Sequence, residues 1–208
     1  MVNLEDLHPY VLPEVIGAPI PAVSLAIIRS AREFCEKSLV WEEDIPSIPV
    51  ASKVGNYELS LPDADLIHLK TVKLEGIPIK PLSDDSHTVT SVGCVRYMQP
   101  DLTHIELVPT PEIGAGYELL ELRAVLKPAR NANKISDYLY NEWAEAIAFG
   151  ALSILKRQQR QSWSDPQGAV ADRQEFDRKM SEARNRALHG HVKGSLSARR
   201  IPFGGRCG

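Results

Sequence analysis

The chain has 208 residues, of which 43% are apolar and 25% charged, and its formal net charge is −3. That is material for one domain or two, and enough to bury a core without disulfides or a structural metal. Its longest apolar run, around Leu25-Ala26-Ile27-Ile28, falls far short of the ~20 residues a bilayer crossing needs, and Glu5 and Asp6 stand where a secretory leader carries Lys or Arg, so neither membrane insertion nor secretion by these routes is expected.

The opening, Leu4 to Pro21, is interrupted by Pro9, Pro13, Pro19 and Pro21 and reads as irregular. A helix is predicted from about Pro21, since proline is tolerated in a first helical turn. Val23, Ile27, Ala31 and Phe34 form its apolar face, and it ends near Ser38–Val40. From Trp41 to Lys127 the pattern changes to short β segments. Tyr57-Glu58-Leu59-Ser60-Leu61 alternates and stops at Pro62-Asp63. Leu66–Leu74 reads as a strand, Glu75-Gly76 as a turn and Ile77-Pro78-Ile79 as an edge strand, where proline costs no ladder bond. Ile105–Val108 and Tyr117–Leu126 complete a small antiparallel sheet or sandwich.

The last third is predicted to be helical. Ser136 is placed to cap a helix whose apolar positions Leu139, Trp143, Ile147, Gly150 and Ile154 recur every three or four residues. Ser164-Asp165-Pro166 signals a second start, continued by Ala169, Phe176, Met180, Ala183 and Ala187 to about Leu188. A linker of about five residues, with Trp163 at the elbow, predicts an antiparallel helix hairpin. The fold class is therefore α+β. A helical domain (1–40 and 129–189) carries an inserted antiparallel β domain (41–128), and an extended arm follows (190–208).

Charge and proline follow the same division. Residues 1–122 hold 8 Lys and Arg against 19 Asp and Glu, whereas residues 123–208 hold 16 against 8. Thirteen of the fifteen prolines lie within residues 1–128. Opposite charge in the two halves biases how copies or partners meet, and suits head-to-tail stacking better than coating nucleic acid. The arm has no acid, is rich in glycine, and sets Ile201 and Phe203 among Lys193, Arg199, Arg200 and Arg206. Such a segment has no core of its own and reads as a peptide that docks.

Motifs for catalysis are missing: no GxSxG, P-loop, GxGxxG or HExxH occurs. Cys35, Cys94 and Cys207 are odd in number and widely spaced, which fits reduced thiols better than a disulfide framework or a zinc site. His189 and His191 read as exposed histidines at a helix end. Asp84-Asp85-Ser86-His87 reads as a polar loop, and Gly114-Ala115-Gly116 as a tight connection between strands. Glu142 and Glu145 sit on the polar side of a helix without an ExxH partner. Trp41, Trp143 and Trp163 are too far apart for a base-stacking platform. No catalytic, cofactor or metal residue is assigned, and an enzyme is the least supported class.

The order of the whole chain resembles the head-to-tail adaptor proteins of tailed bacteriophages, the tail tubular protein A-like group. The resemblance rests on Ala31-Arg32-Glu33-Phe34-Cys35-Glu36-Lys37-Ser38 with Val40-Trp41, then Asn56-Tyr57-Glu58-Leu59 and Val72-Lys73-Leu74-Glu75-Gly76-Ile77-Pro78. It continues through Ile105–Pro111, Leu122–Pro128, Tyr138–Ile147 and the Trp163…Pro166 elbow, and covers nearly all of residues 4–189. It implies a virion protein of the neck, made in the host cytoplasm. Such proteins form a ring, twelvefold in the well-described cases, under the portal protein and above a tail tube or nozzle protein. Genomic DNA passes through the ring without sequence-specific binding. By the same resemblance residues 190–208 are the portal-facing arm, with Lys193, Arg199, Arg200, Ile201 and Phe203 as anchors. Two other readings stay open at this point: another neck or tail-completion ring protein, and a nucleic-acid-binding protein that grips phosphate with its basic tail. Four tail contacts on duplex DNA predict a log–log salt slope of about −3.6 for the last.

Overall fold

The computed structural model of the chain describes residues 1–82, 95–112 and 118–190. The opening segment is more ordered than its prolines suggest. Strand β1 (Val2–Asn3) leads into a helical turn at Leu4–Leu7, helix α1 (His8–Val11) and a further turn at Leu12–Glu14. Pro9 and Pro13 each fall at the start of a helical turn, where a missing N–H costs nothing. The segment thus coils in short steps that put Leu4, Leu7, Val11 and Val15 into the core.

Helix α2 (Ile20–Ser38) buries the predicted face completely: Val23, Ile27, Ala31 and Phe34 have no exposed surface. It stops where Leu39 turns left-handed (φ 58°) and donates its N–H to the Cys35 carbonyl at 2.9 Å. Helix α3 (Asp137–Lys156) starts at the predicted cap, with the Ser136 hydroxyl accepting the Tyr138 N–H at 3.3 Å. Helix α4 (Pro166–His189) starts with the Asp165 carboxylate accepting the Gly168 N–H at 3.0 Å. The elbow between α3 and α4 runs from 157 to 165, longer than the predicted five residues.

The three long helices pack as a bundle. Ser30 Oγ donates to the Ile147 carbonyl at 2.7 Å, and the Phe34 and Trp143 rings lie 5.4 Å apart, which sets α2 antiparallel to α3. Lys156 meets Asp172 near the elbow, and Arg186 meets Glu142 at the far end, so α3 and α4 form the predicted hairpin. Phe176 on α4 closes the bundle against Phe34, ring centres 6.0 Å apart.

Between α2 and α3 the chain builds two antiparallel sheets. Strands β2 (Glu42–Val50), β4 (Ala64–Leu74), β5 (Ile77–Pro78) and β8 (Glu118–Pro128) form a sheet of order β2-β8-β4-β5. Strands β3 (Asn56–Glu58), β6 (Arg96–Met98) and β7 (His104–Val108) form a second sheet, β3-β7-β6. Strand β9 (Lys134–Ile135) pairs with β1, tying the start of the chain to the entry of α3. The Pro78 strand is an edge, as its proline predicts. The other edge, β2, shows no strand-like alternation in the sequence. Its Pro46 sits in a register shift between Ile45 and Ile48, and Pro49 stands opposite Leu119 just beyond it, both of which an edge strand tolerates.

Strand β8 settles which face of the large sheet points inward. Leu120, Leu122, Ala124 and Leu126 are buried, while Leu119, Glu121 and Arg123 face solvent. One hydrophobic cluster runs through the opening turns, the helices and both sheets. The charge division of the sequence is not a division of the molecule into two ends. Acids of the first half pair with bases of the second in Glu14–Lys156, Glu33–Arg173, Glu36–Lys127 and Glu42–Arg123. Among the described residues no helix is long and apolar enough to cross a membrane.

Candidate functional site at the root of the C-terminal arm

The five arm residues singled out from the sequence, Lys193, Arg199, Arg200, Ile201 and Phe203, lie outside the described residues, as do His191, Asp84 to His87 and Gly114 to Gly116. The arm's root is described. Helix α4 ends at Gly190, which adopts φ 62° and ψ −155° and donates its N–H to the Arg186 carbonyl at 2.7 Å. That backbone region is open in practice to glycine alone. Leu188, just before it, is 67% exposed, a large apolar side chain left uncovered at the helix end.

Beside this root lies a cleft of about 450 Å³, bordered by Glu42, Lys70, Arg123, Tyr138, Arg186 and Leu188. Three neighbouring strands supply its floor. Glu42 on the edge strand β2 accepts from Lys70 on β4 and, at 3.3 Å, from Arg123 on the central β8. Arg123 also reaches Asp44 at 3.6 Å. Helix α4 supplies the wall through Arg186, which donates to Glu142 at 2.8 Å and stacks 4.7 Å from the centre of the Trp143 ring. Its bond to Glu142 holds the guanidinium charged more firmly than usual.

Every cation of the cleft has a carboxylate within ion-pair distance, and among the described residues no three His, Cys, Asp or Glu side chains converge as a metal set. Glu142, weighed in the sequence as half of a carboxylate pair, is the partner of Arg186. Trp143 is a core residue, and Trp41 is almost wholly buried. Cys35 is a free, buried thiol, and burial pushes its pKa upward.

Sequence reasoning missed Glu42, Lys70, Arg123 and Arg186 as neighbours. A partial signal was present, because Glu121 and Arg123 alternate with buried leucines along β8 and must share its outer face. What was missing was the edge strand β2, without which Glu42 has no place. Compared with protein-family models and with curated proteins, the chain finds no match.

Proposed function

We propose that the chain is a head-to-tail adaptor of a tailed bacteriophage. In this reading twelve copies form a ring under the portal vertex, link the DNA-filled head to the tail, and line part of the channel by which the genome leaves. The observation that carries the reading is the position of the resembling phrases in the fold. Ala31–Ser38 and Tyr138–Ile147 supply the Phe34–Trp143 contact of the bundle. Val72–Pro78 supplies the hairpin of β4 and β5, and Leu122–Pro128 the inner face of β8. These phrases therefore specify the packing of one fold in one order, where a surface likeness would carry no such weight.

The physical chemistry is compatible with the role. A basic arm that starts at a helix end suits an acidic groove on a portal. Ordering it on docking lowers the affinity of each copy, and a closed ring of copies offsets that through avidity. The β segment, residues 41–128, holds 14 Asp and Glu against 7 Lys and Arg, and like charge limits the sticking of phosphate to a channel wall.

The test is co-sedimentation with tailless, DNA-filled heads, comparing the chain with an Arg199→Glu/Arg200→Glu variant and counting bound copies. Saturation at about a dozen copies per head, the ring size that the resemblance implies, with weakening in the variant, is the expected result. No binding by either protein ends the portal-facing assignment. Binding to free duplex DNA with a slope near −3.6 points instead to the phosphate-gripping reading.

A further inference from the structure

Around the free edge of strand β2 from the arm-root cleft, on the face of Trp41 and Ile45, is a smaller hollow of about 150 Å³. Its walls are apolar, with Trp41, Ile45, Pro46 and Leu61 among them, and Glu43 and Asp44 border it. The Trp41 indole N–H donates to the Glu43 carboxylate at 2.9 Å, so an acid stands against the apolar wall. Strand β2 is an edge of its sheet, and its side away from β8 has no strand partner among the described residues. A hollow of this kind calls for an apolar side chain with positive charge beside it.

The chain itself carries such a segment. Arg199-Arg200-Ile201-Pro202-Phe203 contains the only adjacent pair of arginines in the sequence, followed at once by apolar residues. The size fits, because an apolar cavity of about 150 Å³ takes up a benzene ring. The reach fits as well. Gly190 borders the same cleft as Val40 and Glu42, which flank Trp41 in the chain. Val40 to Asp44 covers about 13 Å along the strand and crossing its free edge adds about 5 Å, while ten residues from Gly190 to Arg200 extend to about 33 Å.

We propose that in the free protein this hollow holds the chain's own segment Arg199–Phe203, with the Phe203 ring in the apolar part and the two arginines on Glu43 and, across the strand's free edge, on Asp44 beside Arg123. Tethering makes the contact intramolecular, with an effective concentration in the millimolar range, so a weak site is well occupied. The inference goes beyond the adaptor role and needs no portal. If both hold, the residues that anchor the arm on a partner are covered until that partner displaces them from the hollow.

The experiment uses the full chain with Cys94→Ser and a spin label on Cys207; Cys35 is buried and does not take the label. The expected result is loss of most of the intensity of the Glu43, Asp44, Ser60 and Leu61 amide signals, unchanged on dilution. Arg199→Glu/Arg200→Glu restores the signals while the rest of the spectrum stays dispersed, and adding Glu43→Arg/Asp44→Arg quenches them again. Undiminished signals overturn the proposal. So does quenching that survives the first charge reversal, or that arises only between a labelled molecule and a separate isotope-labelled one. Failure here leaves head binding untouched, and failure of head binding leaves this result untouched.

Discussion

Arg173 on α4 lays its guanidinium along the Glu33 carboxylate of α2, with Nη1 3.1 Å from Oε2 and Nη2 2.7 Å from Oε1. The same guanidinium reaches Asp177 at 2.9 Å and lies 5.0 Å from the centre of the Phe176 ring. Two helices far apart in the chain are thus held in register by a paired fork over an aromatic core. The Arg173 bond outweighs the opposing effect of burial and, with help from Lys37, holds the Glu33 carboxyl at about 2, below its ordinary 4.5.

A carboxyl held low stabilises the fold above its unfolded pKa, and that contribution is lost as pH falls through the folded value. Glu33→Gln is therefore expected to cost about 1–2 kcal/mol at neutral pH, after allowance for solvent screening of a partly exposed pair. The difference between the two proteins narrows between pH 4.5 and about 2, where Glu33 takes up its proton. Denaturant unfolding at several pH values checks this. A gap of constant size across that window rules out the ion pair as its source.

The three helices crowd together at Gly150. A β-carbon there would overlap Ser30 Oγ and come within 2.7 Å of two ring carbons of Phe176. Alanine is the better helix former by about 1 kcal/mol, so propensity alone predicts that Gly150→Ala stabilises. Overpacking typically costs about 1–3 kcal/mol, and here the neighbours are a core ring and a hydroxyl bonded to the Ile147 carbonyl. We expect net destabilisation, partly relieved when Ser30→Ala is added. Additive effects of the two substitutions in a thermal or denaturant melt would show that the crowding is not shared.

Lys156, at the C-terminal end of α3, is 8% exposed and joins Glu14 of the opening turns to Asp172 of α4, the latter at 3.0 Å. Burial alone lowers the pKa of its ammonium, but the bonds to Glu14 and Asp172 more than offset that and leave it raised. Lys156→Met leaves Asp172, itself 8% exposed, as a buried charge without its partner. The expected cost is about 3–5 kcal/mol. Lys156→Met with Asp172→Leu is expected to recover most of it, since well-packed apolar replacements of buried pairs are often neutral. If the double variant is no more stable than the single, the pair is not what suffers.

What could be read from the sequence follows from how locally each feature is written. The caps at Ser136 and Asp165 and the apolar faces of α2, α3 and α4 depend on neighbours within a turn or two, and they stand where the residues put them. Strand β2 depends on β8, some 75 residues away by the pairing of Ile45 with Leu122. Its own residues, Glu42-Glu43-Asp44 and two prolines, carry no alternation to announce it. The opening turns were obscured for the same reason. Pro9 and Pro13 break any period, and only packing against the bundle shows that Leu7 and Val11 are core. The cleft at the arm root needs β2, β4, β8 and α4 together, so no window of sequence contains it.

Gly190 separates the helix from the arm, and its geometry predicts a separation of effects. With φ 62° and ψ −155° it occupies a region that costs other residues about 1–3 kcal/mol. Among the described residues an added β-carbon would meet nothing within 4 Å, so the penalty of Gly190→Ala there is one of backbone conformation. Because the residue lies beyond the core, the strain is relieved by fraying the last turn of α4, where Gly190 N–H and the Arg186 carbonyl part. Global stability is expected to stay within a few tenths of a kcal/mol of the parent, as for surface changes generally. Hydrogen exchange at the Leu188 to Gly190 amides quickens, and the arm leaves the helix in a new direction. On the adaptor reading, head binding weakens although the melting curve does not move. A variant that binds heads as the parent does, with its last turn frayed, would show that the exit angle fixed by Gly190 has no part in docking.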